Sequence, residues 1–177
     1  HGNPSWMRAL EARRVAEEAK RLLDGCGDAV SIGVITFYSA QRDAIFKALE
    51  ALDVTSRNPE TGDWQINEQY RKTRDHEERF RVGTVDAFQG KEFDIVLLSV
   101  VRSNRQRLPA ESDIDGFETL ASRKYGHLRL SNRMNVAMSR QRSLLIAVGD
   151  KSMAEVPGAD KAVPAMHAFL NLCKGRH

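Results

Sequence analysis

The stretch Phe93–Val101, FDIVLLSVV, is apolar throughout apart from Asp94 and Ser99. Such a run reads as a strand buried on both faces, which is the condition of a central strand in a parallel sheet. Val30–Phe37 and Leu144–Val148 also read as buried strands, and Phe80–Val85 has strand character. Between them the spacing is helical. Ala12, Val15, Ala16, Ala19, Leu22 and Leu23 recur at three- and four-residue steps until Asp24-Gly25 and Gly27. Helical character returns over Ala40–Leu52, Leu130–Arg140 and Ala159–Lys174. Strands alternating with helices predict an α/β fold, a mostly parallel β-sheet flanked by helices.

Two polar stretches interrupt this alternation. Thr55–Arg79 carries Asn-Pro and Thr-Gly turn signals and reads as a loop or short surface insertion. Arg105–Tyr125 is polar and contains Glu111, Asp113 and Asp115. A chain of 177 residues with 41% hydrophobic residues fits one domain with a sizeable core. A net charge of +3 fits an anionic partner without demanding one. Cys26 and Cys173 lie far apart and no Cys/His ligand spacing occurs, so no metal site is expected. Neither a signal peptide nor an apolar run of membrane-spanning length is present, and a reduced, intracellular setting is expected.

Three segments hold residues suited to chemistry. In VGTVDAFQGKE, a strand runs into the loop Asp86–Glu92, where Gly90 permits close backbone approach and Gln89, Lys91 and Glu92 offer polar groups. The loop is expected at the carboxyl end of its strand, where open parallel sheets bind ligands. A plain polar connection with a turn glycine is the reading that composition alone favours. In SNRMNVAMSRQR, Asn135, Met138 and Ser139 share a helical side, and Arg133, Arg140 and Arg142 cluster before a strand expected to be buried. Arginine suits bidentate phosphate binding, and it equally complements a helix C-terminus. In ITFYSAQRDA, Phe37 and Tyr38 end a strand and Ser39 opens a helix as its expected N-cap. The aromatics either stack a base or pack in the core.

Taken in order, these segments resemble motifs IV, V and VI of superfamily 1 DNA/RNA helicases, in the branch of the nonsense-mediated-decay enzymes. ITFYSAQR resembles a motif IV of the form TPYxxQ, with Phe37 in place of the proline. VDAFQGKE matches VDAFQGxE in full, and Ser99, Val101, Arg102 and Asn104 match the SxVRxN that follows. NRMNVAMSRQR is similar to RLNVAxTRAR, with Ser139 and Gln141 replacing Thr and Ala. The resemblance spans nearly the whole chain. Motif IV lies near 35–42, motif V near 83–104 and motif VI near 131–142, and 105–127 is a candidate insertion.

The resemblance implies a RecA-like fold, the second of two motor domains that hold ATP and Mg²⁺ between them. The chain contains no GxxxxGK[ST] phosphate loop of its own. In the family that loop and the acidic Mg²⁺ box lie on the first RecA-like domain, which is therefore an implied partner in the same polypeptide, as is single-stranded DNA or RNA. The resemblance implies Arg140 as the catalytic arginine finger. It implies Gln41, Gly90, Glu92 and Arg142 on the nucleotide side, and Thr84, Asp86, Arg102, Ser103 and Asn104 on the nucleic-acid backbone. Tyr70-Arg71 mimics a family tyrosine–arginine pair but falls between motifs IV and V, and it carries no assignment. The expected activity is ATP-dependent unwinding by the full-length protein, with the isolated domain inactive. The competing expectation is a nucleic-acid-binding scaffold that keeps the fold without the motor.

Overall fold

A computed structural model describes residues 6–109 and 113–175. The chain separates into two compact units, residues His1–Val101 with Val136–Val148, and residues Arg102–Asn135 with Gly149–His177.

The first unit carries the sheet. α1 (Ala9–Gly25) leads into β1 (Ile32–Thr36), and α2 (Ser39–Glu50) follows, with Tyr38 rather than Ser39 at its N-cap. A hairpin of β2 (Thr55–Arg57) and β3 (Trp64–Ile66) and the short α3 (Glu68–Arg71) come next. β4 (Phe80–Thr84), a 3₁₀ turn at Val85–Phe88 and β5 (Phe93–Ser99) then precede the excursion into the second unit. The sheet order is β4-β1-β5-β6 and every pairing is parallel. β1 and β5 are the inner strands, which is why both read as largely apolar runs.

One face of the sheet presents Ile32, Val34, Phe80, Val82, Ile95 and Leu97. These form a single cluster with Val15, Ala16, Ala19 and Leu23 of α1 and Ile45 and Leu49 of α2. The period-two and period-3.6 patterns thus meet on one buried surface. The segment expected as loop is partly ordered by this same core. Tyr70 is buried and donates to Asp24 at the end of α1, and Arg79 donates to the carbonyls of Leu23, Gly27 and Gln69. Tyr70 is therefore a packing residue at the C-terminus of α1.

β6 (Gln141–Val148) departs from expectation. It is an edge strand with a neighbour on one side only, and Leu144 is 44% exposed. Apolarity marks a segment as strand but does not rank it within the sheet. β6 also starts earlier than expected, so Arg142 lies inside the strand rather than at a helix end.

The second unit contains α4 (Ile114–Tyr125), a 3₁₀ turn at Gly126–Arg129, α6 (Ser152–Glu155), α7 (Ala159–Ala162) and α8 (Pro164–Lys174). α5 (Ser131–Ala137) crosses the boundary between the units in sequence. The single helix expected over 159–174 is broken at Val163, because Pro164 cannot continue the preceding turn but suits the start of a new one. The acidic cluster is in part a helix start. Asp113 caps α4 by accepting from the Gly116 amide at 3.0 Å, Asp115 sits in its first turn, and Glu111 lies outside the described residues. Among the described residues no group of three acids, histidines or cysteines is placed to hold a metal. No described helix is long and apolar enough to cross a membrane.

Candidate functional site

The expected site residues fall at opposite ends of the sheet. The loop that begins at the carboxyl end of β4 does not stay there. β5 is parallel to β4, so the 3₁₀ turn and Gln89–Glu92 must return the chain to the amino end of the sheet before β5 can start. Thr84 and Asp86 remain at the carboxyl end, while Gly90, Lys91 and Glu92 arrive at the amino end. The two ends are roughly 20 Å apart at about 3.3 Å per residue of β5. The expectation of a single carboxyl-end loop is corrected by this crossing.

Phe88 makes the crossing possible. Its ring is fully buried and packs 5.5 Å from that of Phe93. It lies over two glycines: a Cβ at Gly33 would sit 2.8 Å from the Phe88 ring, and one at Gly83 would sit 3.2 Å from it. The connection can hug the sheet because β1 and β4 offer no side chain there. Beyond the turn, Gly90 takes φ +73 with open space around it, which exposes its backbone.

The amino end gathers Glu92, Arg140 and Arg142. α5 ends at Ala137, so Met138 and Ser139 lie in a turn beyond the helical side that they were expected to share with Asn135. Val136 O, one of the last carbonyls of α5, accepts from the Ser139 amide, the Ser139 hydroxyl and Arg140 Nε at 3.1 Å. This is arginine capping of a helix C-terminus. Arg140 Nη2 donates to Ser139 Oγ at 2.9 Å and Nη1 reaches Lys91 O at 3.5 Å. The Arg140 carbonyl accepts from the Phe93 amide, which docks motif VI beside motif V. Arg142 lies 3.7 Å from Glu92 and 3.5 Å from Asp94. Asp94 also accepts from the amide and hydroxyl of Ser31. Burial pushes the Asp94 carboxyl up, but those two hydrogen bonds and the Arg142 charge outweigh it and hold it below its ordinary value. Two guanidiniums, one flanking carboxylate pair and an exposed glycine backbone form an anion-compatible surface. The donor set fits the phosphates of a nucleotide.

The carboxyl end holds a different arrangement. Gln41 is fully buried: its carbonyl accepts from the Arg8 amide at 2.8 Å and its amide donates to Ser99 Oγ at 3.0 Å. The structure therefore separates Gln41 from Glu92, Arg140 and Arg142. Phe37 and Tyr38 are buried as well, which favours packing over base stacking. Ser99 Oγ donates to Glu11 Oε1 at 2.7 Å, and the Val101 amide donates to the same oxygen at 2.7 Å. Val101 has φ +71, a left-handed conformation that costs a β-branched residue on the order of 1–3 kcal/mol. Glu11 thus holds a strained backbone at the point where the chain leaves the first unit. Glu11 was absent from the sequence-based set, although it falls in the same helical stripe as Val15 and Ala19.

Burial pushes the Glu11 carboxyl above its ordinary value, against hydrogen bonds from Ser99 and Val101 and the Arg8 charge. A raised folded-state value means that the stability contributed by protonated Glu11 is present below the unfolded value. It is lost as pH rises through the folded one. Glu11→Gln keeps an oxygen for both donors and does not ionise. Thermal melts from about pH 4 to about pH 7 should show the variant gaining on wild type as pH rises. A constant difference would contradict the burial argument.

In the second unit, Arg102 is buried, and its guanidinium donates to the carbonyls of Lys124 and Arg123 at the end of α4. Asn104 donates to Lys124 O at 2.9 Å, and exposed Ser103 donates to Asp150 at 2.5 Å. Of the three residues of this unit expected on a nucleic-acid backbone, Arg102, Ser103 and Asn104, Ser103 is the exposed one.

Comparisons with known proteins give the family. A family model described as an AAA domain matches residues 1–152. "Putative helicase MOV-10" of Gallus gallus is 28% identical over 97% of this chain, and "RNA helicase Mov10l1" of Mus musculus is 30% identical over 84%. "Regulator of nonsense transcripts 1 homolog" of Neurospora crassa is 30% identical over 82%. The chain spans 15%, 10% and 10% of those relatives' lengths. With a parallel sheet flanked by helices and a family model over residues 1–152, the chain belongs to this AAA-domain family and is a superfamily 1 helicase domain.

Proposed function

We propose that this chain is the second motor domain of an ATP-dependent nucleic-acid helicase, completing an ATP site with a first RecA-like domain of the same polypeptide. The observation that carries the reading is the gathering of Arg140, Arg142, Glu92 and the open Gly90 backbone at the amino end of the sheet. Thr84 and Asp86 occupy the opposite end, so nucleotide and strand are handled on separate surfaces.

ATP, with Mg²⁺ held mainly by the first domain, supplies the phosphoryl group whose loss drives the cycle. Arg140 offers its guanidinium to developing phosphate charge, with its orientation fixed by Val136, Ser139 and Lys91. Glu92 would accept from a nucleotide hydroxyl, and Arg142, held beside Glu92 and Asp94, would offer its guanidinium to phosphate. Thr84, Asp86 and Ser103 contact the sugar–phosphate backbone of single-stranded DNA or RNA without reading its bases. The setting is intracellular. Gln41 braces the carboxyl end rather than touching nucleotide.

The test is ATP hydrolysis by the full-length protein with and without single-stranded DNA or RNA. Strand-stimulated turnover is expected from the full-length protein, and little or none from the 177-residue chain alone, since it has no phosphate loop. Absence of turnover with every strand would overturn the motor reading in favour of a binding scaffold.

A further inference from the structure

The positive charge of the chain belongs to the second unit. Its sequence holds eleven Lys and Arg against seven Asp and Glu, a net +4, so the remaining sixteen and seventeen leave the first unit at −1. Within that unit the segment after Arg102 shows a pattern. Ser103, Arg105 and Arg107 are exposed, while Asn104 and Gln106 between them are half-buried. This is the alternation of an extended backbone, although the segment pairs with no strand.

Lys124 explains it. The side chain is buried, and its ammonium donates to Gln106 O at 2.7 Å, Asn104 O at 3.2 Å and Asn104 Oδ1 at 3.4 Å. Asn104 returns a bond to Lys124 O. Burial pushes the Lys124 ammonium below its ordinary value, the Asp150 charge opposes that, and Arg102 adds to it. A buried lysine spent on carbonyls is expensive, and here it pins an irregular segment to the C-terminal end of α4. With Arg102 bound to the Arg123 and Lys124 carbonyls, exposed Arg123 is held beside the segment. Arg105, Arg107 and Arg123 make no ion pair among the described residues.

We infer that the extended segment 103–107, with Arg123, is a phosphate-binding rail for single-stranded nucleic acid, built by the 105–127 insertion. This rests on the helicase reading and extends the strand contact of Ser103 past the end of motif V to Arg105, Arg107 and Arg123. Arg105 and Arg107 lie about 7 Å apart at two residues of extended chain, so each can serve a separate phosphate of an extended strand. An arginine rail without aromatic partners predicts backbone contact with little base preference.

The experiment measures affinity of the full-length protein for a labelled single-stranded oligonucleotide across a salt series. It compares wild type, Arg105→Ala/Arg107→Ala, Arg105→Lys/Arg107→Lys, and Arg13→Ala/Arg14→Ala on exposed α1 positions as control. For single strands each lost phosphate contact lowers the slope of log K against log salt by about 0.7, so the alanine pair should lower it by about 1.4. At moderate salt the alanine pair should weaken binding about tenfold, with the lysine pair close to wild type and the control unchanged. If wild type binds and the alanine pair matches it in affinity and slope, the rail is wrong while the motor reading stands. Wild type that binds no strand would overturn both.

Discussion

Replacing Arg140 with alanine is expected to lower strand-stimulated ATP hydrolysis by the full-length protein about a thousandfold, the lower bound for loss of an arginine finger. Strand affinity should stay close to wild type, because Arg140 lies at the amino end of the sheet and Thr84 and Asp86 at the other. The size of the effect follows from preorganisation. Arg140 is anchored through its carbonyl to β5 and through its guanidinium to Val136, Ser139 and Lys91, so it need not be reoriented as phosphate charge develops. Arg140→Lys keeps the charge but loses the planar fork, and should recover only a small part of the rate. The alanine variant also loses a contact to the last turn of α5, worth about 1 kcal/mol or less, so a thermal melt accompanies the kinetics. A variant that hydrolyses ATP like wild type would pass the role to Arg142.

The largest expected effect on stability is at Phe88. Phe88→Ala should destabilise the protein by about 3–5 kcal/mol, measured by denaturant unfolding. The ring is fully buried and has no other atoms to replace it, because Gly33 and Gly83 contribute no side chains beneath it. The cavity would open beneath the chain that carries Gly90 and Glu92, so nucleotide affinity should fall with stability. Phe88→Leu, which fills part of the space, should cost less. Equal stability of Phe88→Ala and wild type would show that the crossing is held by the loop ends alone.

Phe88 also marks the limit of what could be read from residue order. VDAFQGKE was legible as a motif, and the apolar runs at Phe93–Val101 and Val30–Phe37 were legible as buried strands, because burial on both faces leaves few polar positions. Nothing local says that Phe88 sits on Gly33, since that contact joins residues far apart in the chain. Gln41 and Arg102 illustrate the same limit. Both bear the polar groups expected of ligand-binding residues, yet the structure spends those groups on Ser99 and Arg8 in one case and on α4 carbonyls in the other. Glu11 and Lys124 escaped notice for the opposite reason. A charged residue in an apolar helical stripe reads as a surface position until the donors and acceptors that meet it are known.

Period and composition by themselves determined the α/β alternation and the helix faces, because each depends on neighbours within a few residues, and the three motifs were legible by resemblance. The tertiary structure decided the rest. The parallel orientation of β4 and β5, each paired to β1, forces the motif V loop across the sheet, and that crossing sends Glu92 to Arg142 and leaves Thr84 behind. A strand's partners are chosen by long-range packing, so the division of one contiguous motif between two surfaces had no local signature.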